Sequence, residues 1–220
     1  MNRKSKKLFI FGAGIFAKIS RAYFERYSQF EFCGFVSDEK GVSHANVIDI
    51  SVVDSHFPPD SHHVFIAVGY KKMNLIREKY YHYFSKKGYR FASFVHPNVE
   101  NWNSVEIGDN CFIFENNTIQ PNSLINDNTV IWSGNHIGHD SVIGRSCWVT
   151  SHVVIYSNVT IHKNCFLGSN SNIRDGVNIG SFNFVGAGSN VWEDTESNCF
   201  FPVKKSTPTV LSHSNVIGLI

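Results

Sequence analysis

Branched aliphatic residues recur every six positions through the second half of the chain. From Ile107 the series runs Ile107, Ile113, Ile119, Ile125, Ile131, Ile137, Ile143, Val149, Ile155, Ile161, Leu167, Ile173, Ile179, Val185 and Val191. Ile, Leu and Val make up roughly one residue in five of the chain, so chance gives such a run on the order of 10^-10 of the time. A period of six fits neither an α-helix nor a single strand. It predicts a short strand and a tight turn, repeated, with three strands closing a three-sided coil. The aliphatic points to the coil centre. The fifteen hexads predict about five coils, stacked roughly 4.8 Å apart.

A second register supports the first. Four residues after each aliphatic stand Cys111, Asn117, Ser123, Thr129, Asn135, Ser141, Cys147, Val153, Val159, Cys165, Ser171, Val177, Asn183 and Ser189, all small or compact and expected at the tight corners. Glycine follows the aliphatic directly at Gly108, Gly138, Gly144, Gly168, Gly180 and Gly186. Cys147 and Cys165 are one coil apart and are expected inside, as small hydrophobes.

The front of the chain reads differently. The run Lys7 to Phe11 predicts a strand ending in Gly12-Ala13-Gly14-Ile15-Phe16-Ala17, followed by a helix with Ile15, Ile19 and Tyr23 on one face. Further strands are predicted over Glu31 to Val36, ending in Ser37-Asp38, over His63 to Val68, ending at Gly69, and over Arg90 to Val95. A second helix carries Met73, Ile76, Tyr80 and Tyr83 at helical spacing. This is β-α-β twice, a small Rossmann-like α/β domain over residues 1–96, ahead of an all-β coil domain with a C-terminal extension over 97–220.

Composition narrows the picture. The residues are 42% hydrophobic and 17% charged with net charge +2, which gives no reason to expect nucleic acid or an anionic membrane as partner. The sequence has no apolar run long enough for a transmembrane helix, so no membrane insertion is expected. The basic stretch Met1 to Lys7 leads into a short buried strand rather than a signal peptide. Five cysteines without a CxxC argue against disulfides and a structural zinc site, and fit a cytoplasmic protein.

A GxGxxA turn after a strand presents backbone N–H groups and a helix N-terminus to a phosphate. Asp38, at the end of the second strand, stands where such domains contact a ribose or base. A front domain of about 95 residues is short for a full dinucleotide fold, so a mononucleotide-linked ligand fits better than NAD.

With His96-Pro97 and then Gly138-His139-Asp140-Ser141-Val142-Ile143-Gly144 inside the hexads, the chain resembles bacterial sugar acyltransferases of the sialic-acid O-acetyltransferase type. That group includes N-acetyltransferases of nucleotide-linked 4-amino-sugars such as the bacillosamine precursor and perosamine. The resemblance implies a left-handed parallel β-helix. It also implies a homotrimer with active sites between neighbouring helices, and a role in bacterial surface-glycan synthesis. Acetyl-CoA is the acyl donor and no metal takes part. By resemblance, His139 is general base with Asp140 beside it. Gly14, Ile15, Phe16, Ser37, Asp38 and Gly69 contact the sugar nucleotide. Trp148, Ser169 and Ala187 contact acetyl-CoA, and Lys204 or Lys205 meets a CoA phosphate. Trp148 stands where the family often carries histidine, and Phe16 where some relatives do.

The chemistry suits these residue types. A sugar amine must shed a proton to attack a thioester, and an imidazole accepts the next proton as the bond forms. An adjacent carboxylate orients the ring or raises its basicity. The same base serves O-acetylation of a hydroxyl, so N- and O-transfer both stay open, as does a non-catalytic sugar-nucleotide-binding scaffold. His136, His139 and His152 also raise a zinc site, against which the flanking carboxylate and the unconvincing ligand spacing argue. Phe114 and Trp132, 18 residues apart, and Tyr156 each follow an inward aliphatic. They are expected to point outward and to line a subunit interface.

Overall fold

The computed structural model describes residues 6–38 and 47–203. Lys204 and Lys205, expected at the CoA phosphate, and the apolar stretch 216–220 lie outside the described residues.

The front unit contains β1 (Lys6–Phe11), α1 (Ile15–Tyr27), β2 (Phe30–Ser37), β3 (Val47–Asp49), α2 (Val53–His56), β4 (His62–Ile66), α3 (Leu75–Lys86) and β5 (Arg90–Phe91). The strands are parallel in the order β3-β2-β1-β4-β5. The strand order therefore reverses at β1, the arrangement that opens a ligand crevice at the carboxyl ends of the central strands. Leu8, Phe9, Ile10 and Phe11 are all buried because β1 is covered on both faces. Leu8 and Ile10 pack with Ala17 and Phe24 of α1, while Phe9 and Phe11 pack with Tyr80 and Phe84 of α3. β3 has no counterpart in the sequence pattern, since three residues carry no periodic signal.

The helix faces differ from those read in the sequence. In α1, Ala17, Ser20 and Phe24 are buried, while Phe16, Ile19 and Tyr23 are partly buried in the same apolar cluster, which includes residues of the coil domain. The helix lies between sheet and coil and so needs two apolar faces. Ile15, in the first turn, is outside both and is 79% exposed. α3 starts after Lys72, Met73 and Asn74, three consecutive residues with positive φ, so Met73 is not helical; its buried residues are Arg77, Tyr80 and Phe84.

The second unit is a three-sided prism of two-residue strands. A first face holds seven strands, from Phe94–Val95 to Phe200–Phe201; a second holds six, from Glu100–Asn101 to Asn190–Val191; a third holds five, from Glu106–Ile107 to Asn178–Ile179. Strands 18 residues apart pair in parallel, as Ile113 with Ile131 and Ile131 with Val149. The inward aliphatics from Ile113 to Val191 are buried, and the small residues behind them include Cys111, Cys147 and Cys165 in the same core. The prism has one more turn than the hexads predicted. Phe94–Val95 pairs with Phe112–Ile113, so the single strand expected over Arg90 to Val95 is two strands in two different sheets. At the far end Phe184 pairs with Phe200, a step of 16, so the last coil is shortened.

A third register sits three residues after each aliphatic. Asn110, Asn116, Asn122, Asn128, Asn158, Asn164 and Asn170 have positive φ there, as do Gly134, Gly176 and Gly188. These are the corner residues, and asparagine and glycine tolerate the left-handed conformation best.

The two units share one apolar layer. Phe16, Phe24 and Tyr23 pack on Phe94, Phe112, Phe114, Trp132 and Trp148 of the first face. Phe114 and Trp132 do point outward and stack, but Phe114 is only 2% exposed and lies beneath the chain's own α1. Phe114 is therefore covered within its own chain, and Trp132 is partly buried beside it. Tyr156, on the second face, is 48% exposed.

Arg77 is fully buried at the corner between the third and first faces. Its Nε donates to the Asn128 carbonyl at 3.1 Å and an Nη to the Asn110 carbonyl at 2.9 Å; the other Nη donates to the Ile66 carbonyl of β4. Burial pulls its pKa down to about 9. Beside it runs a side-chain ladder. Asn110 Oδ1 accepts from the Ile66 N–H at 2.8 Å, Asn110 donates to Asn128, and Asn128 donates to Ser146.

Candidate active site

Three regions hold the expected site residues. The first is the corner between the second and third faces. Here the chain leaves the strand His136–Ile137 and turns through Gly138, His139 and Asp140 into Val142–Ile143. Gly138 is required by close approach: a Cβ there would lie 2.6 Å from the Ser157 nitrogen of the next coil. Asp140 fills the corner position with φ 56°. His139 Nδ1 lies 2.7 Å from Asp140 Oδ2, and both side chains are about half exposed.

Sequence reasoning missed two supports of this pair. Asn122 Nδ2 donates to Asp140 Oδ1 at 3.0 Å, and the Gln120 side-chain carbonyl accepts the His139 N–H at 3.1 Å. Both were findable by stepping one coil back along the corner. The hydrogen bonds from His139 and Asn122 hold the Asp140 carboxyl below the usual carboxylate range. With Asp140 on Nδ1, the arrangement favours the tautomer that leaves Nε2 free to accept a proton.

The second region is a cleft of about 650 Å³ at the carboxyl ends of β1, β2 and β4, lined in part by Gly12, Gly14, Ser37, Asp38, Gly69, Lys71 and Tyr80. Gly14, Ser37, Asp38 and Gly69 are thus brought together. Gly14, at the N-cap of α1, lines the cleft, and the first turn of the helix carries no acid, so its free N–H groups have no negative side chain beside them. Gly12 is needed: its φ is 117°, and a Cβ would lie 2.7 Å from the Ala67 carbonyl oxygen. The side chains of Ile15 and Phe16 do not line the cleft. Phe16 instead packs edge-on against Phe65, Phe112 and Trp148. Any contact they make with a phosphate is through the backbone. Lys71 and Tyr80 were missed, because their place depends on how α3 folds back onto β1 and β2.

The third region is the corner between the first and second faces. Ser169 and the exposed Ala187 stand there one coil apart, and Ser169 Oγ donates to Thr150 Oγ1 at 3.1 Å. Their small side chains form a strip along this corner, half-buried at Ser169 and exposed at Ala187. Trp148 does not belong to the strip. It is 3% exposed, packed between Phe16 and Tyr70 at the domain boundary. An outward aromatic on the face that the front unit covers becomes part of the joint.

The histidines raised as zinc ligands are spread out. His136 is on the second face, and His152 occupies the corner between first and second faces, where its ring lies over Gly134. Among the described residues no group of three or more His, Cys, Asp or Glu is placed to hold a metal ion. No helix of the described residues is long and apolar enough to cross a membrane.

Comparison with known proteins agrees with this architecture. Residues 7–84 match the family model described as the PglD N-terminal domain, and residues 104–139 and 140–175 each match that of the bacterial transferase hexapeptide. Hexapeptide repeats of this kind form left-handed parallel β-helices. Among solved structures, PerB from Caulobacter crescentus, in complex with CoA and GDP-perosamine, is 23% identical, with a TM-score of 0.79 over 88% of this chain and 92% of that one. The acetyltransferase domain of PglB from Neisseria gonorrhoeae, in complex with acetyl coenzyme A, is 21% identical, with a TM-score of 0.77 over 89% of this chain and 95% of that one. These likenesses are of fold. No curated protein matches the sequence.

Proposed function

We propose that this chain, which joins a PglD N-terminal domain to the hexapeptide repeats of bacterial transferases, is an acetyl-CoA-dependent N-acetyltransferase of a nucleotide-linked amino sugar. It works as a homotrimer in the cytoplasm, in surface-glycan synthesis. The observation that carries the reading is the His139–Asp140 pair, 2.7 Å apart on an open corner that places an imidazole nitrogen toward solvent. The scaffold alternative gives no reason for that pair and its two supports. N-transfer rather than O-transfer is supported by the perosamine N-acetyltransferase among the similar structures.

Acetyl-CoA supplies the acetyl group as an activated thioester. The α1 N-terminus and Lys71 bind the diphosphate, and Asp38 binds the nucleoside. Ser169 and Ala187 border the strip for the CoA arm, and Lys204 or Lys205 meets its phosphate. His139 takes the amine proton on Nε2, and Asp140 stabilises the imidazolium that forms.

A site shared between chains has a geometric argument. The front unit covers the first face and reaches its two corners, through Arg77 on one and the Tyr23–Glu115 bond on the other. His139 stands on the remaining corner, opposite the covered face. The cleft unit and the base are therefore on different sides of the prism, which supports a site in which the cleft of one chain meets the base of another.

Mixing tests this reading. Chains with His139→Ala and chains with Gly14→Asp, which sets a carboxylate against the diphosphate, are each expected to be inactive. Co-expressed in equal amounts, they should recover about a quarter of the wild-type turnover if each site takes its base and its cleft from different chains at random. No recovery, with mixed oligomers demonstrated, would defeat the shared site. No thiol release from acetyl-CoA by the wild-type protein with any UDP-, dTDP- or GDP-linked amino sugar would defeat the activity itself.

A further inference from the structure

The nucleotide cleft contains an acid held by a tyrosine. Asp38 follows β2 directly and lines the cleft. The Tyr80 hydroxyl, from α3, donates to Asp38 Oδ2. Tyr80 is itself fixed, because it is buried and its ring lies against Phe11, the last residue of β1, with centroids 4.1 Å apart. The carboxylate is thus tied to two neighbouring strand ends through one buried side chain. Among the described residues Tyr80 is the one side-chain donor to Asp38, and Asp38 is exposed where it lines the cleft, so its second carboxylate oxygen can accept from a ligand there.

An acid in this place in a parallel α/β sheet faces the ribose of a nucleotide lying across the strand ends. The hydroxyls of a ribose diol are donors, and a carboxylate oxygen is an acceptor that cannot donate in return. A site fixed to receive a hydroxyl rejects the analogue that lacks it, because the acceptor is then left without a partner. We infer that Tyr80 is a positioning residue that aims Asp38 at the 2′-hydroxyl, and that the protein selects ribonucleoside diphosphate sugars over their 2′-deoxy counterparts. This rests on the sugar-nucleotide reading of the cleft. It narrows the substrate class, since dTDP-sugars carry a deoxyribose and UDP- and GDP-sugars do not.

Calorimetry on the full chain tests the inference with four probes, UDP and 2′-deoxy-UDP, GDP and 2′-deoxy-GDP. The ribo form of whichever base binds should bind at least about tenfold more tightly than its deoxy form, the usual worth of one hydrogen bond to a charged group. In Tyr80→Phe that ratio should fall to within about threefold, with acetyl-CoA affinity unchanged. A general loss of packing would weaken both forms alike and keep the ratio. Asp38→Asn, which keeps the volume of the side chain, serves as a second variant should Tyr80→Phe not fold. Equal affinity for ribo and deoxy forms in the wild-type protein overturns the inference. So does a full preference retained in the folded variant, or no binding of any ribo form. The outcomes separate from those for the activity: a ribo preference without acetyl transfer removes the acetyltransferase reading alone, and transfer that runs equally on dTDP- and UDP-linked sugars removes the ribose reading alone.

Discussion

The rings of Phe114 and Trp132 stack 4.5 Å apart, nearly parallel, and the Tyr23 ring meets Phe114 edge-on at 5.1 Å. Two residues of the prism and one of the front helix thus form the centre of the joint between the domains. Truncating Phe114 to Ala should cost about 3–5 kcal/mol, the range for a fully buried Phe. Front and prism should then unfold in separate transitions. The oligomeric state should not change, since Phe114 lies under the same chain's α1. Calorimetric scans with light scattering check this; dissociation of the oligomer in a folded Phe114→Ala protein would return these aromatics to the subunit interface.

His139→Ala should lower turnover by about 10^2 to 10^4-fold, the usual contribution of a general base, with little effect on melting temperature because the side chain is half exposed. Near wild-type thiol release from acetyl-CoA would remove His139 from the mechanism. Asn122→Ala should cost less, since it acts on Asp140 alone.

Arg77 has three backbone carbonyls as its hydrogen-bond partners and is buried without a carboxylate. Arg77→Met leaves those carbonyls without donors, at about 1–3 kcal/mol for each that water cannot reach. A lower urea midpoint is expected, and Arg77→Lys should recover only part, because a lysine lacks the planar fork. A midpoint equal to wild type in Arg77→Met would mean that an apolar side chain replaces the buried cation without loss.

The Tyr23 hydroxyl donates to Glu115 Oε2 at 2.9 Å, and Ser133 donates to Oε1 at 2.8 Å. Burial alone would push Glu115 up. Hydrogen bonds from its own backbone N–H, Ser133 and Tyr23 outweigh that and hold it below the usual range, while burial and this contact push Tyr23 up to about 12. A lowered carboxylate stabilises the folded state above its unfolded value, near 4.3, and loses that contribution as pH falls through its lower folded value. Glu115→Gln should therefore be less stable at neutral pH and show a shallower loss of stability below about pH 4. Parallel acid arms in the two proteins would show that this contact does not link domain docking to pH.

The hexad register determined the repeating body of the prism, though not its hand or its end coils. Its period, its inward aliphatics and its small corner residues are local requirements repeated coil by coil, so each hexad carries the whole rule. The hexad frame fixed Ile137 as inward but left the direction of His139 open, and the Gly-x-Gly segment after an apolar run marked the strand-to-helix turn that borders the cleft. What only the tertiary structure decided is which outward residues meet which partners. Phe114 and Trp132 look like exposed aromatics in the hexad pattern, and nothing near them in sequence records that α1 packs against them. Ile15 fits a helical face in the sequence but lies outside both surfaces that α1 buries. Tyr80 and Asp38 are 42 residues apart and meet because α3 packs back across β1. Short-range periodicity fixes the direction of a side chain relative to its own element; what lies in that direction depends on docking between distant segments, and the period contains no term for it.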